Sequence, residues 1–301
     1  MLDTKFIREN PDKVLQNSHA KHTQPDIPGF LHLDERRRAV IQQAQDLKAK
    51  RNTVSEEIAR LKKAKENADA LIAEMKTVSD TIKQLDDELR GVEEQMEHMT
   101  LFIPNVTHES VPHGKDASGN IEVRRQDGVN ACEGERGFRK DHATLAKELG
   151  IVDFERGAKI SGSGFPLYTG KGARLERALL NFMLDRHTGD NGYTEVFVPF
   201  LVNEASMRGT GQLPKFAEDM YTCAADDLYL IPTAEVPITN IYRDDILPAA
   251  ELTKKHCGYS ACFRREAGSY GKDTRGFLRL HQFNKIELVK FAKPDESYAE
   301  L

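Results

Sequence analysis

Residues 70–100 read ALIAEMKTVSDTIKQLDDELRGVEEQMEHMT, and this stretch decides the fold of the first third of the chain. Its apolar residues are separated alternately by four and three positions, which is an unbroken heptad seam. The seam predicts a long helix that packs along another helix. It consists of Leu71, Met75, Val78, Ile82, Leu85, Leu89, Val92, Met96 and Met99.

A second, looser seam precedes the first. Between residues 30 and 66 apolar residues recur at intervals of seven, and Arg37 and Arg51 interrupt some of the intermediate positions. The polar stretch 65–69 is short, so the two segments predict an antiparallel hairpin whose arms are each about 50 Å long at about 1.5 Å per residue. The recurring residues are Leu33, Val40, Leu47, Val54 and Leu61.

The two arms carry opposite charge. Residues 30–66 contain ten Lys and Arg against six Asp and Glu, whereas residues 70–100 contain three against eight. One interpretation is that the charges are solvated, complementary flanks of a coiled coil. The other is that the basic arm follows the phosphates of an RNA backbone without reading its bases. The cations are Arg36, Arg37, Arg38, Lys48, Lys50, Arg51, Arg60, Lys62, Lys63 and Lys65.

Composition sets limits on the class of protein. The chain has 301 residues, 39% of them hydrophobic, and a formal net charge of -5, which predicts two domains and argues against general nucleic-acid binding. No apolar stretch approaches the roughly 20 residues of a membrane-spanning helix, so we expect no membrane function. The four cysteines form no CxxC pair, which favours a reduced, cytoplasmic protein. His256, Cys257 and Cys262 fit no common zinc spacing, so no metal site is predicted.

Helix and turn signals divide the chain. Asn10-Pro11-Asp12 predicts the start of a short helix before the hairpin, and the Gly- and Pro-containing stretch after Ile103 marks a boundary. We therefore predict domains at 1–103 and 104–301. The second begins its regular structure with an amphipathic helix at 174–187 and a strand at 192–199 that ends at Pro199.

Later apolar runs indicate the fold class of the second domain. They are joined by turns rather than by crossover helices, so the prediction is an α+β domain with an antiparallel sheet. The runs are 228–231, 259–263, 278–283 and 286–291.

Three short motifs lie within about fifty-five residues of one another in this domain. They are Thr233-Ala234-Glu235, Phe263-Arg264-Arg265-Glu266 and Phe283-Asn284-Lys285-Ile286-Glu287. Spacing by two at the end of a predicted strand puts the Arg264 cation and the Glu266 carboxylate side by side, which suits a nucleotide held by its phosphate and its base. Taken singly, each residue is more often a structural one, such as a strand-end ion pair or a core aromatic.

The order and spacing of these motifs resemble those of seryl-tRNA synthetases of bacterial type, which are class II aminoacyl-tRNA synthetases. The resemblance covers essentially the whole chain. It also includes Asn10-Pro11, the helical hairpin, Ile103-Pro104-Asn105, Gly114-Lys115-Asp116, the run 209–216 and Pro199 of the first class II motif. It implies a tRNA-binding arm followed by an antiparallel-sheet catalytic domain.

For ATP, the resemblance implies four residues. Arg264 is expected to bind both the α-phosphate and the serine carboxylate and so to be catalytic, Glu266 to accept from the adenine amino group, and Phe283 to stack on adenine. Arg265 lies in the same segment, although a smaller polar residue often fills its position. The polar loop between Gly268 and Gly276 is expected to close over ATP.

For the amino acid, Thr233, Ala234 and Glu235 resemble the family's pocket for the substrate amino group. Glu287 resembles the carboxylate that accepts a hydrogen bond from the serine hydroxyl, and Arg264 completes the pocket. The family also implies Mg²⁺ bound with ATP, tRNA(Ser) on the arm, and a homodimer formed around the helix and strand that end at Pro199.

One feature departs from the family pattern, because the chain stops at Leu301 before any third class II motif. We therefore expect a truncated chain whose catalytic sheet is incomplete and whose adenylation is impaired. Two other functions stay open: an inactive synthetase-like RNA-binding paralogue, and a coiled-coil scaffold whose second domain only dimerises.

Overall fold

The computed structural model describes residues 2–125, 140–267 and 276–301. The chain divides into two units, 1–125 and 126–301, and the domain boundary after residue 103 stays a prediction. Cys132 and the predicted loop residues 268–275 lie outside the described residues. Among the described helices, none has the length and apolar character needed to cross a membrane.

The first unit is helical. Short connections separate its helices, and Asp side chains begin two of them: Asp3 accepts from the backbone N–H of Lys5 at 2.8 Å, and Asp26 from that of Gly29 at 2.8 Å. The helices are α1 (Thr4–Glu9), α2 (Pro11–Ala20), α3 (Ile27–Ala64) and α4 (Asp69–Thr100).

The predicted antiparallel hairpin is confirmed. Helices α3 and α4 pack along each other, and Lys65 ends α3 in the left-handed conformation with φ +61°. The heptad seam of α4 faces inward, and on α3 the buried positions include Val40 and Ala44. Six seam residues of α4 are buried: Met75, Val78, Ile82, Leu85, Val92 and Met96.

Ion pairs join the basic face of α3 to the acidic face of α4. The Arg37 Nε atom lies 2.9 Å from a Glu93 carboxylate oxygen, which explains why a cation can interrupt the seam there. Each exposed pair contributes only about 0–1 kcal/mol, so the pairs align the helices more than they stabilise them. The other cross-helix pairs in the described residues are Arg36–Glu88, Lys48–Asp86 and Lys50–Glu74.

The base of the hairpin contains the main apolar cluster of this unit. Ile7 of α1 and Val14 of α2 pack against Phe30 of α3 and Met96 of α4. Burying a side chain such as Phe30 contributes roughly 1.5–3 kcal/mol. Beside this cluster the fully buried Asp34 carboxylate accepts from Arg8 at 3.0 Å, so α1 is tied to α3 by charge as well as by packing.

The described part of the second unit contains six helices and eight short or medium strands. The predicted helix at 174–187 is confirmed and is longer than predicted. The helices are α5 (His142–Glu148), α6 (Phe154–Ser161), α7 (Lys171–Gly189), α8 (Glu204–Gly209), α9 (Glu235–Thr239) and α10 (Ser297–Glu300). The strands are β1 (Val152–Asp153), β2 (Leu167–Tyr168), β3 (Thr194–Glu195), β4 (Leu201–Asn203), β5 (Thr222–Cys223), β6 (Leu228–Leu230), β7 (Lys254–Phe263) and β8 (Gln282–Phe291).

Three sheets form among residues 140–267 and 276–301. The β1 and β2 strands pair antiparallel, β4, β6 and β5 form a second antiparallel sheet, and β3, β7 and β8 form the third. In this last sheet β7 and β8 are antiparallel, as predicted, but β3 runs parallel to β7. The predicted runs 278–283 and 286–291 are not two strands, because β8 continues through the polar residues Asn284 and Lys285.

A glycine in α7 permits close packing on the segment that leads to β1. A Cβ atom added at Gly172 would lie 2.0 Å from the Ile151 carbonyl oxygen. Because that oxygen is backbone and accepts from the Thr169 N–H at 3.0 Å, neither partner can move freely. Gly189, at the other end of the same helix, has open space around it.

We predict that Gly172→Ala lowers the free energy of unfolding of the second unit by about 1–3 kcal/mol, the usual cost of overpacking. Gly189→Ala is the matched control and should be neutral or stabilising by up to about 1 kcal/mol. All eight tyrosines of the chain lie after residue 125, so urea unfolding followed by tyrosine fluorescence reports this unit alone. Equal urea midpoints for the two variants would contradict the prediction.

Candidate active site

The pairing of β7 with β8 brings two of the sequence motifs together. Cys262 lies opposite Phe283, and Gly258 lies opposite Glu287. Beyond the last strand pair the contact continues, because the Arg264 N–H donates to the His281 carbonyl at 2.9 Å. Since side chains alternate between faces along a strand, Phe283, Lys285 and Glu287 project from the same face of β8.

The third motif reaches the same place through the segment before α9. The Phe263 N–H donates to the Ile231 carbonyl at 2.9 Å, and the Arg264 Nε donates to the Pro232 carbonyl at 3.3 Å. These bonds bring Thr233, the next residue along the chain, over the hairpin. Its hydroxyl donates to the Glu287 carboxylate at 2.5 Å.

Lys285 completes a compact polar cluster with these two residues. Its Nζ donates to the Thr233 hydroxyl oxygen at 2.7 Å and forms an ion pair with the Glu287 carboxylate. The Glu235 backbone N–H donates to the same hydroxyl oxygen at 3.2 Å. Thr233 is buried. Its hydroxyl makes three hydrogen bonds, which hold it in place.

A cavity of about 280 Å³ opens beside this cluster. Three residues predicted from the sequence line it: Thr233, Arg264 and Glu266. A cation and carboxylates thus face one enclosed space, as a nucleotide with an adjoining amino acid would require. The other lining residues are Gln212, Phe216, Asp219, Met220, Pro232 and Arg279.

Glu266 is held in the cavity wall by Arg279, whose Nη1 lies 2.7 Å from a Glu266 carboxylate oxygen. The Glu266 carboxylate is only 16% exposed. Its backbone has φ +50°, a left-handed conformation that is uncommon outside glycine and that costs of order 1 kcal/mol or more. Residues in such strained backbone conformations persist only where the surrounding structure holds them, and they are frequent at binding sites.

Arg264 lies against the ring that the resemblance predicts to stack on adenine. Its guanidinium carbon is 5.0 Å from the centre of the Phe283 ring, a cation–π contact worth about 0.5–2 kcal/mol. Phe283 does not line the 280 Å³ cavity but a second one of about 220 Å³, together with Phe165 and Tyr168. A base on Phe283 therefore has to use the ring area that Arg264 leaves uncovered.

The remaining predicted residues are placed less centrally. The Ala234 side chain is fully buried beside Val198 and Ile238, so only its backbone can face a ligand. Glu235 and Arg265 are less enclosed than Thr233, and the Arg265 N–H donates to the Asp219 carbonyl at 3.0 Å.

The two cations that pair with carboxylates of the site, Lys285 and Arg279, have no role in the sequence prediction. Lys285 lies between the predicted runs 278–283 and 286–291, and only the continuous strand β8 of the structure puts it on the same face as Glu287. Arg279 follows the polar loop, and the sequence there has no periodicity from which the orientation of its side chain could be predicted.

The charged side chains of the site also change the pKa of a buried thiol on β7. Burial raises the pKa of the Cys262 thiol, and nearby Glu287 adds to this shift. The Ser260 side chain, Lys285 and Arg264 lower that pKa, so two cations and one carboxylate of the site act on the same buried atom. In the described parts of the chain no group of three His, Cys, Asp or Glu side chains is placed to hold a metal ion.

Known proteins match this chain along its whole length. Residues 1–107 match the model of the seryl-tRNA synthetase N-terminal domain, and residues 221–301 match that of the class II tRNA synthetase core domain (G, H, P, S and T). The chain is 55% identical over its whole length to the serine--tRNA ligase of Chloroherpeton thalassium and 54% identical to that of Carboxydothermus hydrogenoformans.

The chain belongs to the seryl-tRNA synthetase family. It spans 71% and 70% of the length of those two relatives. Among solved structures, seryl-tRNA synthetase from Pyrococcus horikoshii, complexed with ATP, matches the whole chain and 71% of its own with a TM-score of 0.83 at 33% identity. The cytoplasmic serine-tRNA ligase of Naegleria fowleri, in complex with AMP, matches the whole chain and 72% of its own with a TM-score of 0.78 at 27% identity.

Three of the motifs on which the resemblance to the seryl-tRNA synthetase family rests meet in this fold. The hairpin of β7 and β8 joins the second-motif residues Arg264 and Phe283, and the segment before α9 adds Thr233. The comparisons assign no role to individual residues, so the roles of Arg264, Glu266, Phe283 and Glu287 stay predictions.

Proposed function

We propose that this chain is a serine–tRNA ligase that activates L-serine with ATP and transfers the seryl group to tRNA(Ser). In the first step a serine carboxylate oxygen attacks the α-phosphorus of ATP. A bond forms between that oxygen and phosphorus, and the bond from phosphorus to the pyrophosphate leaving group breaks. In the second step a terminal ribose hydroxyl of tRNA takes the seryl group and AMP leaves.

The observation that carries this proposal is that Thr233, Arg264 and Glu266 line one cavity beside the Glu287 carboxylate. Arg264 is fixed by its bond to the Pro232 carbonyl and by the Phe283 ring. From there its guanidinium binds the α-phosphate and the attacking carboxylate together, which supplies charge stabilisation and orientation. No general base is needed, because the nucleophile is already a carboxylate.

Glu287 accounts for the choice of amino acid. Its carboxylate is 20% exposed and accepts from Thr233, and its remaining acceptor capacity suits the serine hydroxyl. Alanine would leave that capacity unused in a partly buried site. Sites built around a substrate hydroxyl reject the analogue without it by about 10⁴–10⁵.

ATP is a substrate in this proposal, and it enters as its Mg²⁺ complex. Proteins usually bind Mg²⁺ through one or two carboxylates together with substrate phosphates, and the Asp219 carboxylate lines the cavity. We keep the cytoplasm as the proposed location, because the cysteine pattern favours a reducing compartment.

The proposal is tested by serine-dependent exchange of pyrophosphate into ATP. The assay uses the 301-residue chain and, where the reading frame continues, a version extended to its stop codon, with alanine and threonine as controls. We expect exchange with serine and at least about 10⁴-fold lower kcat/KM with alanine. Glu287→Gln should raise the KM for serine more than the KM for ATP, because it alters only the amino acid side of the site.

Two results would count against this assignment. Exchange that does not depend on serine would contradict the substrate. Silence in both chains, together with retained tRNA binding, would favour the RNA-binding paralogue over the ligase.

The hairpin is proposed to bind tRNA(Ser) near its tip. Four cations of α3 already pair with carboxylates of α4, and Arg38 and Arg60 pair within their own helix. Within the described residues Lys62, Lys63 and Lys65 form no ion pair and are exposed. Unpaired cations release more free energy on meeting a phosphate, since no salt bridge has to break.

We predict that the triple change Lys62→Gln, Lys63→Gln and Lys65→Gln weakens tRNA binding and lowers its salt dependence. The slope of log affinity against log salt should fall by up to about three, since each lysine that neutralises a phosphate contributes about one to that slope. The matched control, Arg36→Gln, Lys48→Gln and Lys50→Gln, removes three paired cations. If the control loses as much affinity and slope as the tip variant, the tip is not where RNA binds.

A homodimer is proposed on the exposed apolar face of α7. Leu175, Leu179, Phe182 and Met183 lie at helical spacing on one side of this helix, and Phe182 is 66% exposed. The other side of α7 contacts β7 and β8. After β3, Phe197 is 81% exposed. A second copy can cover this face with the same face by two-fold symmetry, which is the commonest way in which soluble proteins associate.

We predict that Phe182→Glu converts a dimer into a monomer in sedimentation equilibrium, because it introduces a charge into the apolar face. Asn181→Glu introduces the same charge at a neighbouring exposed position and should leave the dimer intact. A monomeric wild-type chain, or a Phe182→Glu variant that stays dimeric, would refute this interface.

A further inference from the structure

Lys285 is an unassigned charged residue in direct contact with the predicted serine pocket. It lies on β8 two residues before Glu287 and on the same face, and its Nζ contacts both Thr233 and Glu287. The Lys285 side chain is 33% exposed and that of Glu287 is 20% exposed. The pair is therefore partly withdrawn from water, where an ion pair is weakened less by solvent and salt than on an open surface.

All the hydrogen-bonding capacity of the Thr233 hydroxyl is used within the cluster. A hydroxyl has one proton to donate and two lone pairs to accept with. Its proton goes to Glu287 at 2.5 Å, and its lone pairs accept from Lys285 at 2.7 Å and from the Glu235 N–H at 3.2 Å. A substrate group that binds Thr233 has to displace one of these partners, and the flexible Lys285 side chain can move without shifting the backbone.

The charge balance of the pocket follows from these contacts. Glu287 is the carboxylate proposed to meet the substrate side chain, and Lys285 is its counter-ion. With Lys285 present the pair has no net charge and suits a neutral hydroxyl. Without Lys285 the Glu287 carboxylate would be uncompensated, and a cationic side chain on the substrate could take the place of the ammonium group of the lysine.

We propose that Lys285 is a specificity-determining residue, which neutralises Glu287 so that the pocket accepts a hydroxyl side chain and rejects a cationic one. This inference rests on the proposed function, since it assumes that Glu287 faces the side chain of the amino acid. It assigns to Lys285 a role in the choice of substrate rather than in the chemical step.

The test compares serine with L-2,3-diaminopropionate, which is serine with a protonated amine in place of the hydroxyl at neutral pH. Pyrophosphate exchange is measured for the wild-type product of the complete reading frame, for Lys285→Met and for Lys285→Arg. Methionine has a similar length and no charge, whereas arginine keeps the charge. The KM for ATP in each variant serves as the control for an intact nucleotide site.

Lys285 orients Thr233 and Glu287 through charged hydrogen bonds, so we expect Lys285→Met to raise the KM for serine by at least about tenfold, with the KM for ATP changed by less than about twofold. The ratio of kcat/KM for diaminopropionate to that for serine should rise at least about tenfold. Lys285→Arg should keep the wild-type ratio. A merely structural lysine would lower both substrates together and leave the ratio unchanged.

The outcomes separate the two proposals. If the wild type shows serine-dependent exchange and Lys285→Met keeps the wild-type ratio, the role of Lys285 is refuted while the ligase function stands. If the wild type neither exchanges nor binds serine in isothermal titration calorimetry, both are refuted. Should Lys285→Met not fold, a changed ratio in Lys285→Arg, which keeps the charge, would also overturn the inference.

Discussion

The antiparallel ladder between β7 and β8 is the constraint on which the site depends. It is ten residues long on each strand, and its register sets Cys262 opposite Phe283 and Gly258 opposite Glu287. A shift of one residue would turn Phe283, Lys285 and Glu287 to the other face of the sheet. The fully buried Cys257 and Cys262 of β7 lie five residues apart and therefore on opposite faces of the strand, so β7 is covered on both sides.

The charged groups of the site hold one another in the described structure. Lys285 holds Glu287, Arg279 holds Glu266, and Arg264 lies on Phe283 and the Pro232 carbonyl. Each group is thus oriented before a ligand arrives, and little reorganisation is left for the moment of reaction. The same pairing means that binding is an exchange of partners. For Glu266, a base amino group has to compete with the Arg279 guanidinium at 2.7 Å.

Much of this architecture could be predicted from the sequence, and the reasons differ between elements. The hairpin could be predicted because a heptad seam has a single structural solution over some thirty residues. The split of β8 into two runs was wrong because Asn284 and Lys285 interrupt an apolar pattern. Both side chains make polar contacts in the folded structure: Asn284 donates to Glu176 at 3.0 Å, and Lys285 donates to Thr233. These two polar residues therefore do not mark a turn. They belong to one continuous strand, and Lys285 contacts the site.

Other features depend on contacts that no local pattern contains. The amphipathic pattern of α7 predicts a helix, but it cannot tell an inward apolar face from an outward one. In the structure Leu179 and Phe182 are exposed. The pairing of Arg279 with Glu266 likewise joins residues on either side of a loop without periodicity. The family resemblance supplied Thr233, Arg264, Glu266, Phe283 and Glu287, but neither of the two cations that hold the carboxylates.

Paired and unpaired cations lie in different parts of the hairpin, and the packing of its two helices explains why. Near the base, α3 has fully buried residues such as Phe30 and Val40, whereas towards the tip its apolar residues Leu47, Val54 and Ile58 are only partly buried. The free energy of local opening therefore falls towards the tip. The cross-helix pairs Arg36–Glu88 and Arg37–Glu93 lie nearer the base, where the core is thicker. At the tip, Lys62, Lys63 and Lys65 keep their charge unpaired among the described residues, on the part of the hairpin best able to adjust to an RNA backbone.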